Sequence, residues 1–277
     1  MFRIVMSQNE EYEEAIKLIV NGCRRFSVSV EAIEIEILKN TSFKDTDVVF
    51  FLTNNQRVGR FAAELSLRGI EVINGKYLVG NRAKSYAQRR ARFAGVMGPR
   101  FMSGIDLQRL ETTKYVSELG FPLYVKSERH EGGVFRAENV TELGRVIAGL
   151  DPSLGWYMET AVDAPDRRLE KLYWVAGSCF GRDKQKTPRT DVIEAMDAIG
   201  GSLSFDVFSA DFILSESDYW CIDVNSAPGL FGSETAREAL IGFVQSRLTY
   251  RILRGQRVVH DGRVLRRSKS TALIQRQ

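Results

Sequence analysis

Two apolar segments separated by a short polar stretch restrict the fold of this chain more than any other feature. Residues 208–214 read Phe-Ser-Ala-Asp-Phe-Ile-Leu, residues 215–218 read Ser-Glu-Ser-Asp, and residues 219–225 read Tyr-Trp-Cys-Ile-Asp-Val-Asn. Apolar runs of this length around a polar turn are typical of a β-hairpin. The sequence therefore predicts two antiparallel strands joined by a polar loop of four or five residues.

Alternation along these strands brings polar side chains together. We expect Asp211 within one residue of the position opposite Asp223, with Asn225 and Cys221 on the face of Asp223. Two carboxylates in a half-buried place repel each other unless a cation lies between them, and oxygen ligands favour Mg²⁺ or Mn²⁺ over zinc. The alternative is a hairpin whose exposed face is simply acidic. We interpret Cys221 as a small strand residue rather than a nucleophile.

The segment after the hairpin favours the metal hypothesis. Residues 225–230 read Asn-Ser-Ala-Pro-Gly-Leu and predict a sharp turn, and Ser233 can cap a following helix. A helix N-terminus and a glycine turn beside a cation favour phosphate chemistry. The sequence therefore predicts a metal site at Asp211, Asp223 and Asn225 that works on phosphates.

Strand-like and helix-like segments alternate in the first part of the chain. Helical spacing of apolar residues is found at 11–20 and 58–65, and apolar strands are predicted at 2–6, 26–30, 47–52 and 70–73. This alternation predicts a small, open, mostly parallel sheet. The expected fold class is α/β (α+β), with an N-terminal α/β domain ahead of a second unit.

Composition argues against several other classes. The 277 residues are 44% hydrophobic and 27% charged, which is typical of a soluble globular protein. No apolar run approaches the ~20 residues of a membrane span, and the acidic N-terminus does not resemble a signal peptide. We therefore expect a cytoplasmic protein with no membrane partner. Three scattered cysteines and only two histidines argue against a zinc site or a histidine-based triad.

Basic charge is concentrated at the end of the sequence. Residues 251–277 contain eight Lys/Arg against one Asp, whereas residues 1–250 contain 31 Lys/Arg against 34 Asp/Glu. We interpret residues 251–277 as a basic C-terminal tail that aids solubility or contacts another subunit. A basic tail can also touch RNA or membranes, but nucleic acid is not the partner we expect.

Four further features precede the hairpin in a definite order. They are Lys84 in Asn-Arg-Ala-Lys, Lys126 at the end of a predicted strand, the pair Gly132 and Gly133, and Glu159 in Tyr-Met-Glu-Thr-Ala. With the acidic hairpin and the Pro-Gly that follows it, this order resembles the signature of the ATP-grasp superfamily. Within the superfamily, the sequence resembles in particular the ligases similar to the ribosomal-S6 glutamate ligase. The resemblance spans roughly residues 1–245.

The resemblance implies a domain organisation and two cofactors. A small N-terminal α/β domain at residues 1–82 would precede a two-subdomain ATP-grasp domain at 83–250, whose glycine-loop subdomain lies at about 115–160. ATP and Mg²⁺ (or Mn²⁺) are the implied cofactors. The implied nucleotide-binding residues are the phosphate lysines, the lid glycines and the acidic hinge residue beside adenine: Lys84, Lys126, Gly132, Gly133 and Glu159.

The implied activity is that of an ATP-dependent carboxylate–amine ligase. Such an enzyme forms an amide or peptide bond through an acyl phosphate and releases ADP and phosphate. Its partners are a carboxylate substrate and an amine acceptor (an amino acid or a peptide), and members of the family are often homo-oligomers. Arg182 and Lys186 are the candidate catalytic residues, in a basic cluster with Lys184 and Arg189 that suits a γ-phosphate or an acidic substrate. A solvated loop is the alternative for this cluster.

Two departures from the pattern leave other functions open. Asp223 stands where Glu is commoner, and its string Ile-Asp-Val-Asn also resembles inositol-phosphate kinases of the same fold. The chain between Arg182 and Asp191 is shorter than the corresponding segment of the S6-ligase group. A kinase acting on a small polyol or metabolite hydroxyl is therefore the second hypothesis. A non-catalytic ATP-binding module is the third.

Overall fold

The structure is a computed structural model that describes most of the chain. The described residues are 1–6, 10–53, 57–79, 83–103, 112–128, 132–164, 166–182, 187–230 and 232–260. Within these ranges the strands form three sheets of four strands each. The mixture of one parallel and two antiparallel sheets with helices between them confirms the predicted α/β (α+β) class.

The first sheet is parallel and has the strand order β2-β1-β3-β4. Its strands are β1 (Phe2–Met6), β2 (Val30–Glu34), β3 (Val48–Leu52) and β4 (Glu71–Val72). The helices of this region are α1 (Glu10–Arg25), the 3-10 helix Ile35–Asn40, α2 (Val58–Leu67) and α3 (Gly75–Val79). All of β3 is buried, as expected for an inner strand covered on both faces.

One predicted strand is displaced along the chain. The expected strand at 26–30 was wrong, because β2 begins only at Val30 and runs to Glu34. Ser27 has a φ of 55°, a left-handed conformation that does not occur inside a strand. The side chain of Phe26 is 42% exposed, whereas Val28 is buried in a core cluster, so the alternation reflects partial burial of a turn rather than a strand.

The second sheet is antiparallel and contains the predicted hairpin. Its strand order is β10-β9-β11-β12. The strands are β9 (Arg168–Val175), β10 (Ser178–Phe180), β11 (Val207–Leu214) and β12 (Tyr219–Asn225). Helices α4 (Lys84–Phe93) and α7 (Thr190–Leu203) pack on one face, and α8 (Glu234–His260) packs on the other.

The third sheet has the order β5-β8-β6-β7 and its own hydrophobic core. Its strands are β5 (Phe101–Met102), β6 (Leu123–Ser127), β7 (Val134–Ala137) and β8 (Trp156–Thr160). The surrounding helices are α5 (Thr112–Leu119), α6 (Val140–Ala148) and the 3-10 helix Pro152–Leu154. The first and second sheets instead share two clusters of buried side chains, so they pack as one body.

Helix α8 crosses the predicted start of the basic tail at residue 251. Arg251, near its end, donates hydrogen bonds to the carbonyl oxygens of Asp45 and Gly69 in the N-terminal region. The tail residues 261–277 lie outside the described residues. Within the described part of the chain, no helix combines the length and the apolar character needed to cross a membrane.

Candidate active site

A β-bulge in the β11–β12 hairpin shapes the centre of the candidate site. Asp211 and Asp223 are direct Cα partners, but the next pair is Phe212 with Cys221, so Ile222 is the extra residue of a bulge. The bulge turns both Ile222 and Asp223 towards a cleft. It sends Cys221 into the core, where the side chain is 1% exposed. The predicted common face of Cys221 and Asp223 was therefore wrong.

Each of the two central carboxylates is paired with a lysine. Lys171 lies directly opposite Asp211 on β9, and its Nζ is 3.1 Å from an Asp211 carboxylate oxygen. Lys84 Nζ lies 3.6 Å from Asp223 Oδ1. Burial raises the pKa of Asp211, the charge of Lys171 opposes this, and the neighbouring charge of Asp223 raises the pKa further. Two facing carboxylates in a partly buried cleft favour a cation beside them.

The position of Lys84 is fixed by a carboxylate that caps its helix. Lys84 is the first residue of α4, and Glu128 at the end of β6 accepts a 2.9 Å hydrogen bond from the backbone N–H of Ser85. The Ser85 hydroxyl donates to the same carboxylate. A carboxylate at a helix N-terminus interacts favourably with the free N–H groups there. This contact ties α4 to the third sheet and directs Lys84 towards the second.

Lys126 and Glu159 form a buried ion pair on the third sheet. They lie on the neighbouring strands β6 and β8, and Lys126 Nζ contacts the Glu159 carboxylate. Lys126 Nζ also donates a 3.0 Å hydrogen bond to the carbonyl oxygen of Ile222, the bulge residue of the opposite sheet. Burial raises the pKa of Glu159, and the charge of Lys126 counteracts this. One lysine thus joins the two walls of the cleft.

The cleft between the second and third sheets has a volume of about 300 Å³. Its lining combines charged side chains with an apolar surface: Lys84, Tyr124, Lys126, Val134, Glu159, Thr160, Val162, Asp211, Ile213, Ile222 and Asp223. Five of the predicted site residues are therefore brought together. A small apolar cleft with a few convergent charged groups is the usual form of a ligand site.

Unsatisfied polar atoms lie beside these residues. Among the residues that the structure describes, the buried side-chain atoms without a hydrogen-bond partner are Tyr157 Oη, Ser209 Oγ and Gln88 Nε2. Tyr157 is the strand partner of Lys126, and Ser209 is the strand partner of Asn225. Buried polar groups are almost always paired in folded proteins, so these two hydroxyls, next to predicted site residues, are positions where water or a ligand can bind.

The predicted metal-ligand set fits a hard cation. Asp211 and Asp223 provide facing carboxylates, and Asn225 lies two residues beyond Asp223 on the same strand. Asn225 Oδ1 accepts a 2.9 Å hydrogen bond from the N–H of Ala227, which leaves one lone pair on that oxygen. Within the described ranges no group of three His, Cys, Asp or Glu residues has metal-binding geometry. The set is thus two carboxylates and an amide, which suits Mg²⁺ completed by water and phosphate oxygens.

The glycine pair lies at the edge of the third sheet rather than in the lining of the cleft. Gly133 has a φ of 80°, and its carbonyl oxygen accepts a 3.3 Å hydrogen bond from the N–H of Ser127. A Cβ at Gly132 would lie 2.3 Å from Ser127 Cβ. Gly132 is therefore required by its close approach to Ser127, and Gly133 by its left-handed backbone.

The predicted basic cluster is divided in the structure. Arg182 is exposed, its guanidinium lies against Gly232, and its charge acts to lower the pKa of Asp211. Arg189 instead donates hydrogen bonds to carbonyl oxygens of the hairpin turn at Ser215 and Ser217. Arg189 thus stabilises the hairpin. Lys184 and Lys186 lie outside the described residues.

Sequence reasoning missed Lys171. Its contact with Asp211 requires β9 to pair with β11, and these strands are separated in the chain by α7. The available signal was a lysine inside an alternating strand, Arg-Leu-Glu-Lys-Leu at residues 168–172. That pattern also fits a solvated strand face, so the partner strand has to be known before the lysine can be assigned.

Comparison with known proteins identifies the fold. No protein-family model matches the chain, and no curated protein sequence does. The D-alanine–D-alanine ligase from Bacillus anthracis superposes with a TM-score of 0.68 at 14% identity, over 92% of this chain and 98% of that chain. The VanG D-Ala:D-Ser ligase from Enterococcus faecalis gives a TM-score of 0.65 at 16% identity, over 91% of this chain and 98% of that chain.

A third similar structure includes nucleotide and metal. The ATP-grasp ligase PsnB, complexed with a minimal precursor, Mg and ADP, superposes with a TM-score of 0.65 at 10% identity, over 89% of this chain and 97% of that chain. These likenesses span nearly the whole of each protein. The chain therefore has the ATP-grasp fold, as the order of its motifs implied.

Proposed function

We propose that this protein is an ATP-dependent, ADP-forming carboxylate–amine ligase of the acid–amino-acid type. The observation that carries the proposal is the facing pair of Asp211 and Asp223, each beside a lysine, in a cleft between the two antiparallel sheets. The similarity in fold to two ligases that act on D-alanine and to PsnB supports it.

The proposed nucleotide site uses both walls of the cleft. The apolar lining around Val134, Val162 and Ile222 would hold the adenine, with the carboxylate of Glu159 beside it. Lys84 and Lys126 would contact the phosphates, with Gly132 and Gly133 in the covering loop. Asp211, Asp223 and Asn225 would hold Mg²⁺, which when bound neutralises charge on the phosphates.

The proposed reaction has two displacement steps. A substrate carboxylate oxygen attacks the γ-phosphorus, the bond to the β–γ bridging oxygen breaks, and ADP leaves. The amine nitrogen then attacks the acyl carbon, the carbon–oxygen bond to phosphate breaks, and the amine loses a proton. Both steps require alignment and charge stabilisation rather than a protein nucleophile. The burial of Cys221, which raises the pKa of its thiol, agrees with this.

Arg182 and Lys186 are the candidate residues for the acidic substrate. Arg182 is near enough to Asp211 to influence its pKa, and a guanidinium matches carboxylate and phosphate oxygens in a bidentate manner. We assign Arg182 and Lys186 to the γ-phosphate or the substrate carboxylate. The domain division that accompanies this proposal is 1–82, 83–250 with the glycine-loop part at about 115–160, and a tail at 251–277.

Trapping of the acyl phosphate tests the proposal without knowledge of the natural amine. The purified protein is incubated with Mg-ATP, hydroxylamine and a panel of single carboxylates that includes amino acids and short peptides. A ligase produces a hydroxamate together with ADP and phosphate in equal amounts, and phosphorus NMR follows the nucleotide. Asp223→Asn should lose this activity, whereas Asp218→Asn, in the exposed turn of the same hairpin, should keep it.

The same spectra separate the alternatives. A new phosphomonoester with little free phosphate, formed from a hydroxyl substrate in a metabolite extract, would replace the ligase assignment with the kinase. Mn-ATP binding without turnover of any carboxylate or extract fraction would favour the non-catalytic module. Absence of nucleotide binding would refute all three functions.

A further inference from the structure

Asn74 lies at the junction between the first and second sheets and is almost completely buried. It follows β4 and precedes α3, its exposed fraction is 1%, and its φ is 59°. Asparagine tolerates this left-handed conformation better than most residues. The backbone therefore presents the Asn74 side chain inward, towards the start of β11.

The amide of Asn74 uses its full hydrogen-bonding capacity. Its Oδ1 accepts hydrogen bonds from the N–H groups of Asp206 and Val207, at 2.8 and 3.0 Å. Its Nδ2 donates to the carbonyl oxygens of Val207 at 2.5 Å and of Ser226 at 3.0 Å. Two donors and two acceptor positions are thus all occupied. Aspartate has the same shape but lacks the two donors.

The contact with Ser226 connects Asn74 to the predicted metal ligand Asn225. The carbonyl of Ser226 and the N–H of Ala227 belong to one planar peptide unit. The carbonyl oxygen accepts from Asn74, and the N–H donates to Asn225 Oδ1 at 2.9 Å. Holding one end of this rigid unit fixes the direction of the N–H at its other end. That N–H in turn orients the amide oxygen of Asn225.

We propose that Asn74 is a positioning residue of the active site, acting through the Ser226–Ala227 peptide to orient Asn225. This inference rests on the proposed function, because it takes Asn225 as a residue of the metal site. It also assigns the N-terminal region a part in that site. Outer hydrogen bonds of this kind typically change metal affinity by about 10–100-fold when removed.

The first test measures hydrogen exchange of the turn in the protein without nucleotide or metal. The variant Asn74→Asp keeps the acceptor but places an oxygen against the carbonyls of Val207 and Ser226. Asn74→Gly suits the left-handed φ and removes all four hydrogen bonds, so it provides a second variant if the charge prevents folding. Exchange in the peptide covering residues 225–230 should rise about tenfold in both variants. A folded variant with unchanged exchange would overturn the proposal.

The second test separates positioning from general weakening of the domain junction. Arg247→Ala is the matched control, because Arg247 joins α8 to Glu71 of β4 at 3.4 Å and does not take part in the hydrogen bonds of the 225–227 turn. Mn²⁺ affinity in the presence of ADP should fall about tenfold in Asn74→Asp, with ADP affinity in EDTA within about twofold of wild type. An equal loss of Mn²⁺ affinity in the control would contradict positioning.

The measurements distinguish failure of the proposed function from failure of the positioning role of Asn74. If wild-type protein binds neither ADP nor Mn-ADP, the proposed function fails, and the positioning of Asn225 as a metal ligand fails with it. If wild type binds Mn-ADP but both Asn74 variants match it in exchange and in Mn²⁺ affinity, only the positioning role is refuted.

Discussion

The N-terminal region and the cleft each bury a carboxylate, but the pKa of the first is lowered and the pKa of the second is raised. Asp47 of the N-terminal region is 1% exposed, and Glu159 of the cleft is 2% exposed. Burial acts to raise the pKa of both. At Asp47 the N–H of Lys44, the amino group of Met1 and the charge of Arg3 outweigh burial and lower the pKa. At Glu159 burial prevails over Lys126, and the pKa is raised.

The opposite pKa directions indicate different roles for the two carboxylates. The environment of Asp47 provides enough donors to keep the charge stable, so this carboxylate serves the fold. The cleft leaves Glu159 with a single lysine, sets Asp211 against Asp223, and buries unpaired hydroxyls of Tyr157 and Ser209. Polar groups that the protein itself does not fully satisfy are found at functional sites, where a ligand completes them.

The largest expected effect comes from removing one of the facing charges in the cleft. Asp211→Asn should lower the rate of hydroxamate formation by about 10³-fold, because one of the two carboxylates that would hold the phosphate-neutralising Mg²⁺ is lost. Stability should be nearly unchanged, since loss of the ion pair with Lys171 is offset by removal of the like-charge repulsion from Asp223. The rate is measured under single turnover, and urea unfolding monitors the fold. A variant that unfolds along with its loss of activity would instead make Asp211 a structural residue like Asp47.

The second effect concerns the ion pair of the cleft. Lys126→Met should destabilise the protein by about 3 kcal/mol at neutral pH, because it leaves the Glu159 carboxylate buried without a partner. Since the pKa of Glu159 is then raised further, the loss should shrink as the pH falls towards the ordinary value of 4.5. Urea unfolding across pH gives the comparison.

The matched control for that pair lies on an exposed helix. Arg60 and Glu64 of α2 form an ion pair of 2.9 Å in which both side chains are exposed. Arg60→Met should change the free energy of unfolding by less than about 0.5 kcal/mol. The double variant Lys126→Met with Glu159→Gln should recover part of the loss. A Lys126→Met protein as stable as Arg60→Met would show that the cleft ion pair is well hydrated.

The third effect concerns Asp47, the buried carboxylate that the fold supplies with donors. Asp47→Asn should cost about 2 kcal/mol at neutral pH, because hydrogen bonds from charged donors are lost. The folded pKa of Asp47 is lowered, so its stabilising contribution is present above the ordinary value of 3.8 and disappears as the pH falls through the folded pKa. Wild type and variant should therefore converge in acid. A difference that is constant with pH would mean that packing, and not charge, dominates at this position.

The smallest expected effect is the difference in stability between a substitution at the crowded Gly132 and one at the open Gly144. Gly132→Ala should destabilise by about 1 kcal/mol, because a Cβ would meet Ser127 at 2.3 Å. Gly144→Ala in helix α6, where nothing lies within 4 Å of the added Cβ, should stabilise by about 0.8 kcal/mol. Thermal unfolding of both variants measures the contrast. Equal shifts in the unfolding temperature of the two variants would show that the backbone around Gly132 moves to accommodate the added Cβ.

Sequence reasoning reached the fold and the central hairpin but not the contacts between strands that are distant in the chain. The apolar segments and the polar turn were enough to place Asp211 near Asp223, because both lie on one hairpin. The bulge at Ile222 was not predictable, because strict alternation assumes an unbroken ladder of paired residues. The fold itself was predicted from the order of the motifs, which resembles the ATP-grasp signature.

Two kinds of residue escaped prediction for physical reasons. Lys171 and Asn74 act across strand pairings and domain packing that local periodicity does not encode. Arg189 was considered with a phosphate-binding cluster because charge alone does not reveal a partner. Its guanidinium is instead used on backbone carbonyls of the hairpin turn.

Helix α8 has a consequence for how the protein is made. Ala236, Leu240 and Ile241 complete the cluster that covers one face of the first sheet, and Ile241 meets α1 at Gly22, where a Cβ would lie 2.4 Å away. During synthesis, the apolar residues of β1 and β3 are translated long before the helix that covers them. The nascent N-terminal region therefore exposes this apolar face until helix α8 has been synthesised, and apolar surface that is exposed in this way is prone to aggregation.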